Sequence, residues 1–363
     1  MVTSNIPPEI IEIILSKLSS VKSLLRFKSV SKSCNTMISD PLFIQNHLQS
    51  SNNSPNNNLF ISAQINNNEH PGFPLVKFEG GKVRAGEVFV ENIPNGYNRI
   101  LCECNGVLLL TNLYLPGECK YDRYLLWNPS TRREMFLINQ CDLNEGYIVD
   151  YGICYDQITS DFKVIFIFLR KYAIYSCNNN SWTKKPGRKY HTVGGTGSGL
   201  FVDGATYWIL GDNTNRSGRQ LVYFDPRTDE LKVLQRPEQV SNHDKYLLVN
   251  MGCLRGRVCL YCYNKVTKSV QVWIKEKGID SGENSTTNCW KEFITVENIN
   301  PPYLWSRPIF FVENKVVIQI RNNKFAFYSP NETTVKEILE IDVNCSTVIP
   351  YRNSLYSPAT IKA

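Results

Sequence analysis

"VDGATYWIL" at residues 202–210, followed by "LVYFDPRTDELKVL" at 221–234, is the stretch that sets the architecture. β-branched and aromatic residues crowd each run, and Asp, Gly and Pro stand where the chain must turn. The pair reads as a strand around a small turn residue, then a hairpin whose Asp225-Pro226 fits the first two positions of a type I turn.

The same two-part unit recurs along the chain. "CNGVLLL" (104–110) precedes "LLWNPSTRREMFL" (125–137), and "LRGRVCLYCY" (254–263) precedes "VQVWIKEKG" (270–278) and "CWKEFITV" (289–296). "VENKVVIQI" (312–320) precedes "FAFYSPNETTVKEIL" (325–339), where Ser329-Pro330 repeats the turn signal of Asn128-Pro129. "YGICYDQITSDFKVIFIF" (151–168) and "AIYSCNNNSWTKK" (173–185) make a further unit. Gly204 to Gly256 is 52 residues, Gly256 to Asn314 is 58, and Gly106 to Gly204 is 98, close to twice 49. A period near 50 with four strands per unit is the pattern of kelch-like propeller blades. Five units are visible, and residues 70–95, completed by C-terminal strands such as "STVIPYRNSLYSP" (346–358), supply a sixth that closes the ring. The expected fold is therefore α plus mainly β, with a propeller of about six blades. A β-sandwich is the alternative for this body and explains the period less well.

The first fifty residues read differently. In "IPPEIIEIILSKL" (6–18), Pro7 and Pro8 suit a helix start, and Ile10, Ile14 and Leu18 fall at i, i+4 and i+8. Ile11 and Leu15 make a second stripe and Ile13 widens it, more apolar surface than one core requires. Leu24, Leu25 and Phe27 predict a second short helix; Val30, Cys34, Met37 and Ile38 predict a third, stopped at Asp40-Pro41. Three short helices cannot bury all of this in one another, so a partner surface is implied. Lys17, Lys22, Arg26, Lys28 and Lys32 form an acid-free run, a solvated face or a seat for an acidic partner.

Between the two parts, "QSSNNSPNNN" (49–58) and "NNN" (66–68) read as linker, with a short strand at Leu59-Phe60-Ile61 between them. The predicted organisation is 1–48 helical, 49–68 Asn-rich linker and 69–363 β body.

Other classes are excluded or disfavoured by composition. No apolar run reaches the roughly 18–20 residues of a membrane span, and the N-terminus lacks the pattern of a secretory signal, so a cytoplasmic or nuclear protein is expected. Twelve cysteines scattered through strand-like runs read as buried free thiols. Cys259 and Cys262 have metal-type spacing but no second ligand pair. "GGTGSG" (194–199) lacks a following Lys-Ser/Thr and leads into a strand, so it reads as a turn between blades. His47, His70, His191 and His243 are widely separated, and the net charge of +7 comes from interleaved charges, not a nucleic-acid stripe. No cofactor, metal or catalytic residue is expected.

"IPPEIIEIILSKL", "VKSLLRFKSVSKS" (21–33) and "DPLFI" (40–44) resemble the F-box of plant F-box proteins. Ile6 stands where Leu is usual, "LSSVKS" is one residue longer than the usual turn, and Cys34 replaces the usual Trp. The body resembles the F-box-associated domain in "CNGVLLL", "LWNPSTRRE", "VDGATYWIL", "FDPRTDEL" and "CWKEF", in the family's order. The kelch Gly-Gly doublet does not recur, and nothing singles out the S-locus F-box subgroup of that family.

The resemblance implies a substrate-recognition subunit of a Skp–cullin–F-box (SCF) ubiquitin ligase, without catalysis of its own. Its helices would bind a Skp-family adaptor, and through it cullin, by Ile6, Pro7, Ile10, Ile14, Leu18, Leu24, Leu25, Val30 and Ile38. Its β domain would hold an unknown target protein, by loops among 113–123, 139–149, 185–198, 211–219, 236–248 and 276–290. Tyr147, Trp182, Arg188, Arg216 and Trp305 are of the types enriched in hot spots. The alternatives are an adaptor-independent protein-binding module and a propeller enzyme.

Overall fold

A computed structural model describes residues 6–18, 20–52, 59–62, 72–79, 82–90, 92–112, 124–138, 148–191, 198–212, 218–254, 256–276, 290–297, 307–312, 315–321, 324–328, 335–340 and 348–358. It opens with helices α1 (Pro8–Ser16), α2 (Val21–Lys28), α3 (Lys32–Ser39) and α4 (Pro41–Asn52). The fourth corrects the expectation of three. Asp40 ends α3 but also caps α4, its Oδ1 accepting from the Leu42 and Phe43 amides at 2.8 and 3.1 Å, and Pro41 takes the first helical position.

Six antiparallel sheets follow among the described residues, which rules out a two-sheet sandwich. The first contains β1 (Leu59–Ser62), β2 (Phe73–Glu79) and β3 (Lys82–Val90). The second runs β4 (Arg99–Cys104), β5 (Val107–Thr111), β6 (Tyr124–Asn128) and β7 (Arg133–Phe136). The third runs β8 (Ile148–Asp156), β9 (Asp161–Phe168), β10 (Lys171–Ser176) and β11 (Ser181–Pro186). In the fourth, β12 (Tyr190–His191) and β13 (Leu200–Val202) share one edge of β14 (Ala205–Asp212), followed by β15 (Arg219–Asp225) and β16 (Glu230–Val233). The fifth has β17 (Tyr246–Leu254), β18 (Arg257–Asn264), β19 (Ser269–Lys275) and β20 (Trp290–Val296). The sixth has β21 (Arg307–Val312), β22 (Lys315–Arg321), β23 (Lys324–Tyr328) and β24 (Val335–Glu340). The last strand, β25 (Val348–Pro350), returns to the first sheet and pairs with β1, Ile349 opposite Ile61. Chain ends thus close the ring, as the sequence implies, and the segment read as linker holds the end of α4 and strand β1.

The second, third and fourth sheets are apolar on both faces because each is packed between neighbours. That is why "VLLLT" and "DFKVIFIF" read as continuous rather than alternating runs: every residue of β5 and β9 is buried. The core is accordingly divided into clusters between sheets, such as Trp208, Val222 and Phe224 with Ile165 and Ile174. The outer strands β7, β11 and β16 are largely exposed. Inner strands meet their neighbours: the β8 carbonyl of Tyr151 accepts from Trp208 Nε1 and Gly199 N, both at 2.8 Å, and that of Ile153 from Thr206 Oγ1 at 2.7 Å. Of "GGTGSG", residues 194–197 lie outside the described residues.

The glycines that mark the period share one role. Gly106, Gly204 and Gly256 turn the first strand of a sheet into its second, all at positive φ, with Asn105 and Asp203 left-handed before the first two. A second recurring turn is set by an Asx side chain. Asn128, Asp156, Asp225 and Asn264 each accept, through Oδ1, the amide two residues on. Pro follows only Asn128 and Asp225 among these, so the acceptor side chain defines the turn and the proline is optional.

Asn128, 0% exposed, does more. Its Nδ2 donates to the Ser354 carbonyl, Ser354 Oγ and the Tyr356 carbonyl at 3.2, 3.0 and 2.7 Å. Ser130 Oγ donates to Asn353 Oδ1 and accepts from the Ser354 amide. A Cβ at Gly106 would overlap Ser354 and the Arg352 carbonyl. The segment after β25 is therefore laid tightly beneath the second sheet. From there Tyr356 packs on Tyr155 and Phe162 at ring distances of 4.8 and 6.0 Å, while Leu355 enters the core of the helices beside Leu15, Leu24 and Ile38. Leu48 of α4 also joins the cluster between the second and third sheets.

Asn128→Ala is expected to leave buried carbonyls unpaired and to lower unfolding stability by about 3 kcal/mol in urea titration, at roughly 1–3 kcal/mol per orphaned group. A second expectation concerns pH. Burial pushes the Asp150 carboxyl up to about 8, against the opposing Tyr151 amide, and pushes Glu103 up to about 7, against the Gly106 amide and Arg352. Both keep their protons to higher pH folded than unfolded, so their contribution is complete below the unfolded carboxylate range and lost as pH rises through those values. Asn250 occupies the matching bulge of β17 and accepts from Met251 N as Asp150 accepts from Tyr151 N. Asp150→Asn should therefore fold and flatten the decline of Tm between about pH 5 and pH 8; an unchanged slope would refute the assignment.

Candidate protein-docking site

α1 carries two apolar stripes with different fates. Ile11, Leu15 and Leu18 face inward, toward Val21, Leu24, Ile38 and Phe43. Ile6, Ile10, Ile13 and Ile14 lie outward and are 45–57% exposed. Val30, Leu42 and Phe27 add further exposed apolar surface on the helical unit. A helix turns about 100° per residue, so a residue eight positions on has drifted about 80°. Leu18 moreover lies past the end of α1, in the turn before α2, and packs on the inner core rather than on the Ile10–Ile14 stripe.

The residues assigned to docking from sequence thus divide. Ile6, Pro7, Ile10, Ile14 and Val30 are exposed, and Leu18 and Leu25 are half-buried. Leu24 and Ile38 are 0% exposed and belong to the internal core, which corrects their assignment to the docking surface. Ile13, Phe27 and Leu42 were not assigned; the helical-wheel position of Ile13 beside Ile10 and Ile14 was the available signal.

Local capping fixes the helices. Ser20 Oγ accepts from Ser23 N at 3.3 Å and Ser31 Oγ from Cys34 N at 3.1 Å. Ser20, part of the lengthened turn, is thereby the cap of α2. Cys34 is half-buried and is not among the residues of the helical core. His47 Nε2 donates to the Leu18 carbonyl at 2.8 Å and its ring stacks on Phe43, tying α4 to the end of α1. Lys17, Lys22, Arg26 and Lys32 are exposed around this unit. Burial lowers the pKa of Lys28, and the neighbouring Arg133 of β7 lowers it further.

Cys259 and Cys262 lie on opposite faces of β18, in different clusters, so they cannot share a ligand. Glu103 and Asp150 stand on the inner strands β4 and β8, both close enough to raise the pKa of Cys102, itself pushed up chiefly by burial. His47, His191 and His243 stand on α4, β12 and the segment before β17. Of the hot-spot candidates, Trp182 packs on Phe166 and Tyr175 and donates Nε1 to the Ile138 carbonyl at 2.8 Å, a packing role. Arg188 is exposed, and Tyr147, Arg216 and Trp305 lie outside the described residues.

Comparison with known proteins agrees with this architecture. Residues 3–46 match the F-box domain and residues 89–359 the F-box associated beta propeller domain. F-box protein CPR1 of Arabidopsis thaliana is 23% identical, with 90% of this chain and 82% of the relative covered. Protein SUPPRESSOR OF NIM1 1 of the same plant is 26% identical over 86% of each. An Arabidopsis F-box/kelch-repeat protein is 24% identical over 90% of this chain and 88% of its own. Helices bearing an F-box, joined to a closed ring of six sheets that matches the associated propeller, identify the chain as a member of the F-box proteins with an F-box associated β-propeller domain.

Proposed function

We propose that this chain is the substrate-recognition subunit of an SCF-type ubiquitin ligase, its helices seated on a Skp-family adaptor that leads to cullin, and its propeller holding a target protein. The observation that carries the reading is the exposed row Ile6, Ile10, Ile13 and Ile14, left over after the inner stripe has filled the helical core. An isolated unit would gain nothing from a second apolar face, whereas burying each aliphatic against a partner contributes roughly 1.5–3 kcal/mol. Lys17, Lys22, Arg26 and Lys32 are exposed on the same helical unit, suited to an acidic adaptor surface. No group in the chain is required to act on the target. The propeller would position target lysines near the charged ubiquitin-conjugating enzyme, and rate would come from proximity.

Ile10→Asp with Ile14→Asp should abolish capture of purified Skp-family adaptor while leaving Tm within a few degrees of wild type, since both residues are exposed. Leu24→Asp should instead disrupt the helices, because it buries a charge. Wild-type chain that fails to bind the adaptor would turn the assignment toward an adaptor-independent binding module.

A further inference from the structure

Residues 162–202 contain no Asp or Glu, in a chain with 33 of them, and hold Lys163, Arg170, Lys171, Lys184, Lys185, Arg188 and Lys189. The fold sorts these cations. Lys163 pairs with Asp156 and Asp229 at 3.2 and 2.8 Å, and Lys185 donates to the carbonyls of Thr228 and Asp229, so both stitch the third sheet to the fourth. Arg170, Arg188 and Lys189 are exposed and, among the described residues, make no ion pair.

Backbone bonds bring these three together from two segments. Gly187 N donates to the Arg170 carbonyl at 2.8 Å and Tyr190 N to the Leu169 carbonyl at 2.9 Å, with Lys171 opposite Pro186 in the register. Leu169, 45% exposed, stands in the same turn.

The position matters as much as the charge. Successive antiparallel strands turn at alternate ends of a sheet. The turns at Gly106, Asn128 and Asp156 lie at the end that meets the C-terminal segment and the helices. The turn between β9 and β10, and the chain leaving β11, lie at the other end. The cationic cluster therefore faces away from the helices, on the side left open when they are occupied.

We propose that Arg170, Arg188 and Lys189, with Leu169, form a docking surface for an acidic segment of the target protein. This rests on the receptor reading above. Close cations of one sign attract a carboxylate-rich chain and speed its encounter, and the exposed leucine offers one apolar contact. Single-stranded nucleic acid fits less well, because its bases stack on exposed rings and the neighbouring Tyr172 and Tyr190 are buried.

The test uses the full chain and fluorescence anisotropy with three labelled probes: a short peptide of Glu and Leu, the same peptide with Gln for Glu, and oligo-dT. The Glu peptide should bind best, and more weakly as salt rises. R170E/R188E/K189E should weaken it by at least about tenfold, and the corresponding Gln variant by less. Equal binding to wild type and charge-reversed chain, no binding of the Glu peptide to wild type, or tighter binding of oligo-dT would overturn the proposal. Adaptor capture is measured in parallel. Its loss in wild type strikes the receptor reading, while its retention in the charge-reversed variant shows that any lost peptide binding is local.

Discussion

The return of the C-terminus holds this molecule together. β25 supplies the strand that β1 and its neighbours lack, so the ring closes by hydrogen bonds between the two ends of the body. The chain then continues under the second sheet, where Asn128 binds both carbonyls and a hydroxyl of Ser354–Tyr356 in a dry setting. An amide side chain there satisfies groups that would otherwise be buried unpaired. The next contact is with the helices themselves, through Leu355. One continuous segment therefore links ring closure, sheet packing and the placement of the helical unit.

That linkage has a mechanical consequence for a receptor. Leu355 sits among Leu15, Leu24 and Ile38, while its neighbour Tyr356 sits against Tyr155 and Phe162. Adjacent residues anchored in two different cores leave little freedom for the helices to swing relative to the ring. Leu48, on α4, adds a second attachment in the cluster between the second and third sheets. A rigid connection holds whatever the propeller binds at a defined distance from whatever the helices bind, which is what catalysis by proximity requires.

Much of the fold was legible because it follows from local chemistry repeated. Asn-Gly and Asp-Gly turns, Asx acceptors and two-sided apolar strands each have a sequence signature, and repetition near every fifty residues multiplies the signal. The fourth helix was missed because Asp40-Pro41 is both a stop and a start, and only the capping bonds of Asp40 distinguish the two. In the candidate docking surface, the grease of α1 was obvious, but its division was not. Leu24 and Ile38 satisfy the same periodicity as the exposed residues and are nevertheless internal.

By itself the sequence showed a strand-and-hairpin unit recurring near every fifty residues, about six units closed by the chain ends, and the surplus of apolar surface on the first helix. Those depend on residues near one another in the chain, or on simple recurrence. Only the tertiary structure decided which apolar stripe of α1 faces inward, because that depends on how α2, α3 and α4 fold against it, with Leu355 from the far end of the chain closing the same core. It alone separated the cations consumed between sheets from those left on the open face, because Asp156 and Asp229 reach Lys163 from different sheets. Burial and charge pairing are properties of neighbours in space, and the sequence supplies the candidates without assigning the neighbours.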